Sequence, residues 1–291
     1  MNIVVSINKN YINPLCVMLY SLMKSNENEK IDVYLVHSEL EESDFEYIKS
    51  RLNGDKINII NTFLEDSFLA DAPITFHFSR EMYYRIFASN FLPKTVDKAL
   101  YLDPDMVIVN SLWELYNTNM GENFFAATKS LNPITQTEYK FRLKMPENSV
   151  YFNSGVLLMN IKQLREELDE KKVLDYIREN QEILVLPDQD VLNSLYNDRT
   201  IVFDDFKFNF DARYYNIQKL IYRELNDLNE IRKIVSIVHF CGKNKPWLAT
   251  YKSELGKLYT DIALKIGIEA VAKTPKSKQF KLKVKLKKIN S

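Results

Sequence analysis

"KALYLDPDMVIV", residues 98–109, is the stretch from which the fold can be read. Two apolar runs, Ala99–Leu102 and Met106–Val109, flank Asp103-Pro104-Asp105. Near-continuous apolar strands are buried on both faces, as in parallel sheets covered by helices. Pro104 has no N–H to give to a ladder, so regular pairing ends there. Residues two apart on an extended chain point the same way, so Asp103 and Asp105 emerge together at the rim of a core. Paired anions beside apolar side chains are costly without a counter-charge. Two hard oxygen donors suit magnesium or manganese, and a solvated turn is the competing reading of a bare D-x-D.

Towards the N-terminus, strands and helices alternate. "NIVVSI" reads as a strand, and a helix starts at Asn13 and Pro14 with Leu15, Met18, Leu19, Leu22 and Met23 at helical spacing. "IDVYLVH" and "INIINTF" are strands around the amphipathic "ESDFEYIKSRL", and "SREMYYRIFASNF" is expected as one helix capped by Ser79 and closed by Pro93. This pattern predicts an α/β fold with a mostly parallel, Rossmann-like sheet, whose ligands lie beyond the carboxyl ends of the strands.

Towards the C-terminus the pattern is mixed. "FFAAT", "SVYFNSGVLLMNI", "TIVF" and "KIVSIVHFCG" read as strands, and "KQLREELDEKKVLDYIREN" as one solvent-facing helix. "DQDVLNSLYND" is a short helix, and "YKSELGKLYTDIALKIG" closes the fold. With no repeat and no Gly/Ser linker before residue 272, residues 1–272 are expected to form one domain of two packed parts, 1–109 and 110–272.

The charge is unevenly spread. Residues 273–291 hold eight lysines and no acid, so the body has 39 − 8 = 31 basic against 39 acidic residues. An acidic body argues against nucleic-acid binding. The tail interleaves its lysines with Phe280, Leu282, Val284, Leu286 and Ile289, which suits an anionic membrane surface. Two cysteines, Cys16 and Cys241, make no disulfide framework, and "MNIVVSINKN" lacks the features of a signal peptide. A cytoplasmic enzyme, peripheral on the inner face of the membrane, is expected.

Four further segments carry chemistry. In "HFCGKNKPW", residues 239–247, His239 can ligate a metal, Gly242 permits close backbone approach and Lys245 can meet a phosphate. A hydrogen-bonded core histidine would fit the same segment. "FNSGVLLMNI" sets Asn153, Ser154 and Gly155 into a strand, where a glycine lets a ligand lie against backbone. "LPDQDVLNSL" places Asp188, Gln189 and Asp190 at a helix start, and capping explains only one of them. "SINKNY", residues 6–11, offers Asn8 and Asn10 to a base or ribose and Tyr11 for stacking, or is an ordinary turn.

Taken in order, these segments resemble glycosyltransferase family 8, over residues 1 to about 265. The resemblance implies a GT-A fold and retaining transfer of a hexose, glucose or galactose, from a UDP-sugar to a glycan or lipid-linked acceptor. Residues 1–109 would bind the nucleotide and 110–272 the sugar and acceptor. It further implies manganese, with magnesium as the alternative, held by Asp103, Asp105 and His239. Gly242 and Lys245 would contact phosphates, and Asn8, Asn10 and Tyr11 the uridine. Arg85, Asn153, Ser154, Gly155 and Asp188 would surround the donor sugar, with Gln189 on the reacting face of the anomeric carbon, and Ser6 and His77 are further expected substrate-binding residues. Asn8 stands where many members have aspartate, Ser130 where some have an acid, and Leu186-Pro187 where the galactosyltransferases have an aromatic and a polar residue. Gln189 is a poor nucleophile, which favours a same-face mechanism over a covalent glycosyl-enzyme. Two other classes fit parts of the sequence: a non-catalytic sugar-nucleotide-binding protein, and an aspartyl-phosphate phosphatase, since "LDPDMV" matches D-x-D-x-[TV].

Overall fold

The computed structural model describes residues 1–52, 54, 56–65, 80–130, 133–203, 206–221, 225 and 227–270. Its strands are β1 (Asn2–Ser6), β2 (Ile31–His37), β3 (Ile57–Phe63), β4 (Lys98–Leu102), β5 (Met106–Ile108), β6 (Phe125–Lys129), β7 (Phe152–Asn160), β8 (Thr200–Phe203), β9 (Phe210–Asp211) and β10 (Ile237–His239). Among the described residues they form a seven-stranded sheet, β3-β2-β1-β4-β7-β6-β8, and a three-stranded sheet, β5-β10-β9. The first four strands of the large sheet are parallel, whereas β7 runs antiparallel to both β4 and β6. This is the expected α/β architecture, a mixed and mostly parallel sheet.

Period two divides the core between the faces of the large sheet. Ile3, Val5, Leu100, Leu102 and Leu158 pack with the helices Ile12–Ser25, Glu42–Leu52 and Gly256–Lys265. Val4, Ala99, Tyr101, Leu157 and Met159 pack on the other face with Tyr83, Tyr84, Phe87, Val173 and Val191. Pro104 marks the transition between sheets: β4 belongs to the large sheet, and β5, which follows after Asp103, Pro104 and Asp105, pairs with β10.

Three local expectations are corrected. The first helix starts at Ile12, not Asn13, with Pro14 inside its first turn, where its missing N–H has no intrahelical acceptor to lose. The described part of the segment 79–91 is not one helix but a 3-10 helix, Arg80–Arg85, followed by a short helix, Ala88–Phe91. Residues 83–89 are all buried, Arg85 and Ser89 included, so this stretch has no exposed face to select a 3.6-residue repeat. Residues 162–180 are also not one helix: Ile161–Glu167 and Glu170–Asn180 are separated at Leu168 and Asp169. The Asp169 side chain accepts from Lys172 N and caps the second helix, stopping the first.

Candidate active site

Two segments converge where β4 ends. Asp103 follows β4, Asp105 precedes β5 and His239 ends β10. His239 Nε2 lies 3.2 Å from Asp105 Oδ1 and 3.6 Å from Asp103 Oδ2. One donor atom from each of the three lies within 4.8 Å of the others. The neighbouring strand leaves them room: an added Cβ at Gly155 would stand 2.4 Å from His239 Cε1 and 2.5 Å from Asp103 Oδ2. Any side chain at 155 would occupy the space between the donors. Two carboxylate oxygens and an imidazole nitrogen facing a space kept clear by glycine fit a divalent cation such as manganese or magnesium.

Charge is arranged around this cluster. Lys245 Nζ is ion-paired with Asp105 Oδ2 and donates to Phe240 O at 2.9 Å. Burial alone would raise the Asp105 pKa, but His239 and Lys245 more than offset it and hold this carboxyl well below the usual range. Asp103 instead faces Arg85, whose Nη2 is 3.0 Å from Oδ1, and accepts from the Tyr101 hydroxyl at 3.0 Å. The Arg85 guanidinium also lies over the Tyr101 ring, 4.1 Å from its centroid.

Arg85 extends from this charged pole to a second one. Its Nε is 3.1 Å from Asp188 Oδ2, and its Nη1 donates to Ser154 O at 3.0 Å. Ser154 Oγ donates to Asp188 Oδ2 at 3.0 Å. Asp188 is fully enclosed, and burial pushes its carboxyl up against the opposing pull of Arg85. Gln189 Oε1 accepts from Asn153 Nδ2 and Ser154 N, both at 3.0 Å, and its Nε2 donates to the Tyr151 hydroxyl at 2.9 Å. Both ends of this amide are therefore fixed.

The helix carrying Asp188 and Gln189, Pro187–Tyr196, is fastened to β7 by side chains. Asn193 accepts from Phe152 N and donates to Phe152 O, both at 2.9 Å, in place of a neighbouring strand. The β6–β7 register shifts between Ala127 and Thr128, beside this point. Asp190 is the structural acid of the three: it takes both Arg142 nitrogens at 2.9 and 3.0 Å, the Tyr151 hydroxyl at 2.6 Å and the N–H groups of Val185 and Leu186.

The loop 6–11 follows β1, whose Val4 pairs with Tyr101 of β4; two residues beyond that pair stand Ser6 and Asp103. Asn8 Oδ1 accepts from Asn10 N at 3.1 Å, a side-chain turn that opens the 3-10 helix Lys9–Tyr11. The Tyr11 ring meets Trp247 edge-on at 6.1 Å, joining this loop to the segment that carries Lys245. Gly242 has φ +82, a left-handed conformation that glycine adopts without strain. Leu186 is the N-cap and Pro187 the first residue of the helix that bears Asp188, so both shape its entry. Ser130 N donates to Tyr151 O.

The structure thus gathers Arg85, Asp103, Asp105, Asn153, Ser154, Gly155, Asp188, Gln189, His239 and Lys245 into one contact network. His77 and the tail 273–291 lie outside the described residues. Sequence reasoning missed Tyr101, Tyr151 and Asn209. Tyr101 and Tyr151 read as core aromatics, and Asn209, in "FKFNFD", reads as one polar residue in an alternating strand.

Comparison with known proteins identifies the family. The profile of "Glycosyl transferase family 8" matches residues 2–251. The chain belongs to glycosyl transferase family 8. It is a glycosyltransferase by that membership, which sets aside the phosphatase alternative. It is 28% identical over 254 residues to the lipopolysaccharide 1,2-glucosyltransferase of Escherichia coli K12, covering 85% of this chain and 72% of that one. With the lipopolysaccharide 1,3-galactosyltransferase of Salmonella typhimurium it shares 25% over 252 residues, 84% and 72% of the two chains. The crystal structure of the galactosyltransferase LgtC with donor and acceptor sugar analogs superposes with a TM-score of 0.78 at 25% identity, covering 95% of this chain and 98% of that one. The GT-A fold is thereby shown. No helix of the described residues is long and apolar enough to cross a membrane.

Proposed function

We propose that this glycosyltransferase moves glucose or galactose from a UDP-sugar to a glycan or lipid-linked acceptor, with retention at the anomeric carbon. The observation that carries the reading is the convergence of Asp103, Asp105 and His239, tied through Arg85 to Asp188 beside Gln189. The names of the relatives, a glucosyltransferase and a galactosyltransferase of lipopolysaccharide, support the sugar and acceptor class.

Asp103, Asp105 and His239 would hold manganese or magnesium, and a bound cation supplies charge neutralisation to a leaving diphosphate. Lys245, already beside Asp105, adds a point charge there, and the backbone at Gly242 is free to approach a phosphate. Ser6, Asn8, Asn10 and Tyr11 suit the uridine, on the edge where β1 ends next to β4. Asp188, held by Arg85 and Ser154, orients sugar hydroxyls. Gln189 Oε1 already accepts two N–H groups, which weakens it further as a nucleophile. A same-face displacement follows, in which the incoming hydroxyl bonds to the anomeric carbon as the bond to the diphosphate oxygen breaks, and the departing diphosphate takes the proton. A panel of UDP-sugars with manganese, scored for UDP release with and without glycan acceptors, tests the assignment. Release from UDP-glucose or UDP-galactose, stimulated by acceptor and abolished by chelator, is the expected result; tight UDP binding without turnover would leave a sugar-nucleotide-binding protein.

For the tail 273–291 we propose attachment to an anionic membrane, each lysine contributing about 1 kcal/mol at low salt. Sedimentation with anionic vesicles should pull down the full chain and not one ending at Ala272. Equal partitioning of the two would remove this role.

A further inference from the structure

Asn209 lies just before β9 and is buried among the residues described above. Its side chain is used at both ends. Nδ2 donates to Asn153 Oδ1 at 2.8 Å, and Oδ1 lies 2.9 Å from His239 Nδ1. Which end is oxygen follows from the neighbours. Asn153 Oδ1 also accepts the Gly155 N–H at 2.9 Å, so it is an acceptor and must be met by an amide NH2. Asn209 therefore turns its oxygen to His239, and His239 Nδ1 carries the hydrogen.

Gln189 Oε1 accepts from Ser154 N, so the Asn153 group facing it is NH2, as the Asn153 Nδ2 contact at 3.0 Å requires. Three carboxamides thus form a one-way series: Asn153 donates to Gln189, Asn209 donates to Asn153, and His239 donates to Asn209. The remaining imidazole nitrogen, Nε2, faces Asp105 Oδ1 at 3.2 Å and Asp103 Oδ2 at 3.6 Å, and is the nitrogen left for a cation to take in place of a proton.

The geometry points to Asn209 as a positioning residue that fixes the tautomer of His239 for metal binding and couples the metal ligand, through Asn153, to Gln189. This rests on the metal reading of the Asp103–Asp105–His239 cluster. Outer partners of a ligating histidine orient the ring, and their loss commonly costs about 10–100-fold in metal affinity. Asn209 would do this while also giving a hydrogen bond towards the sugar side, so its two ends can be separated by mutation.

The test uses the full chain and two variants, with manganese affinity read by calorimetry and kcat and KM read separately. Asn209→Leu removes both bonds and should weaken manganese binding by about 10–100-fold. Asn209→Asp keeps an acceptor for His239 Nδ1 but turns an oxygen on Asn153 Oδ1. It should keep manganese affinity within about threefold of wild type, while kcat falls by about tenfold or more at unchanged KM for the donor, as for an interaction expressed in the transition state. Ring nitrogen shifts of His239, measured with magnesium bound, should show hydrogen on Nδ1 in wild type and Asn209→Asp, and loss of that preference in Asn209→Leu. Wild-type manganese affinity in Asn209→Leu, or equal loss in both variants, overturns the coupling role. His239→Ala separates the two layers: if it binds manganese as wild type does, the metal reading fails and the inference falls with it.

Discussion

The two ends of the site are built differently. At the end proposed to hold the cation, Asp103, Asp105, His239 and Lys245 are charged or chargeable and meet at the edge where two sheets join. At the end proposed to face the sugar, Asn153, Ser154 and Gln189 are neutral and fixed by hydrogen bonds, and Asp188 is paired to Arg85. On the proposed reading the first end changes its charge by taking up a cation, whereas the second already has its hydrogen bonds made. Such a division suits a reaction whose charge develops on a leaving diphosphate while the sugar is held still.

Arg85 is the joint between them, and its loss should have the largest effect. Arg85→Met leaves Asp103 and Asp188 without their shared cation inside the protein. Removing one partner of a buried ion pair costs about 3–5 kcal/mol, so a lowered denaturation midpoint should accompany near-complete loss of transfer. A variant as stable as the parent would mean that the two ends are independent.

Next come the ends taken singly. Asp105→Asn should lose metal binding and about 10²-fold or more in turnover, while Asp188→Ala should keep UDP and manganese affinity and lose kcat. Calorimetry with UDP and manganese separates them. If Asp188→Ala abolished UDP binding, the sugar side would be misplaced.

Gly155→Ala tests the space itself. The new methyl would need to stand 2.4–2.5 Å from His239 Cε1 and Asp103 Oδ2, so the donors must part. Manganese affinity should drop by about tenfold or more, the size seen when ligand support is lost. Unchanged affinity would show that the cation sits elsewhere.

How much of this was readable before folding differs between the halves. The parallel strands announce themselves because Ile3, Val5, Val33 and Leu35 are buried wherever an alternating or continuous apolar run places them. Asp103, Asp105 and His239 were legible because a charge next to an apolar strand is conspicuous. Tyr101 and Tyr151 were not, since their rings are core residues and only their hydroxyls reach Asp103 and Asp190. Asn209 was invisible for another reason: its meaning lies in two partners, 56 and 30 residues away. The break at Asp169 was missed because a capping acid inside a charged helix looks like one more surface residue.

The smallest predicted effect distinguishes the two ends by pH, with the chain kept free of metal by chelator. Asp105 has a depressed pKa, so it contributes stability above the unfolded value of 3.8 that is lost as pH falls through the lower folded value. Asp188 is raised by burial, so its cost is full at neutral pH and fades as pH falls through the raised value towards 3.8. Asp105→Asn should therefore melt below wild type at pH 7, leaving His239 and Lys245 without their carboxylate. Asp188→Asn should melt above wild type at pH 7, because an amide can still accept from Arg85 and Ser154 without a buried charge, and this advantage should shrink by pH 4. Shifts of a few degrees are expected, the scale set by about 1 kcal/mol in a chain of this size. Opposite signs at pH 7 would confirm that one carboxylate is held for the fold as well as the cation, while the other is kept at a cost to the fold. Equal signs would show that Arg85 compensates both acids alike and that the ends differ only in what they bind.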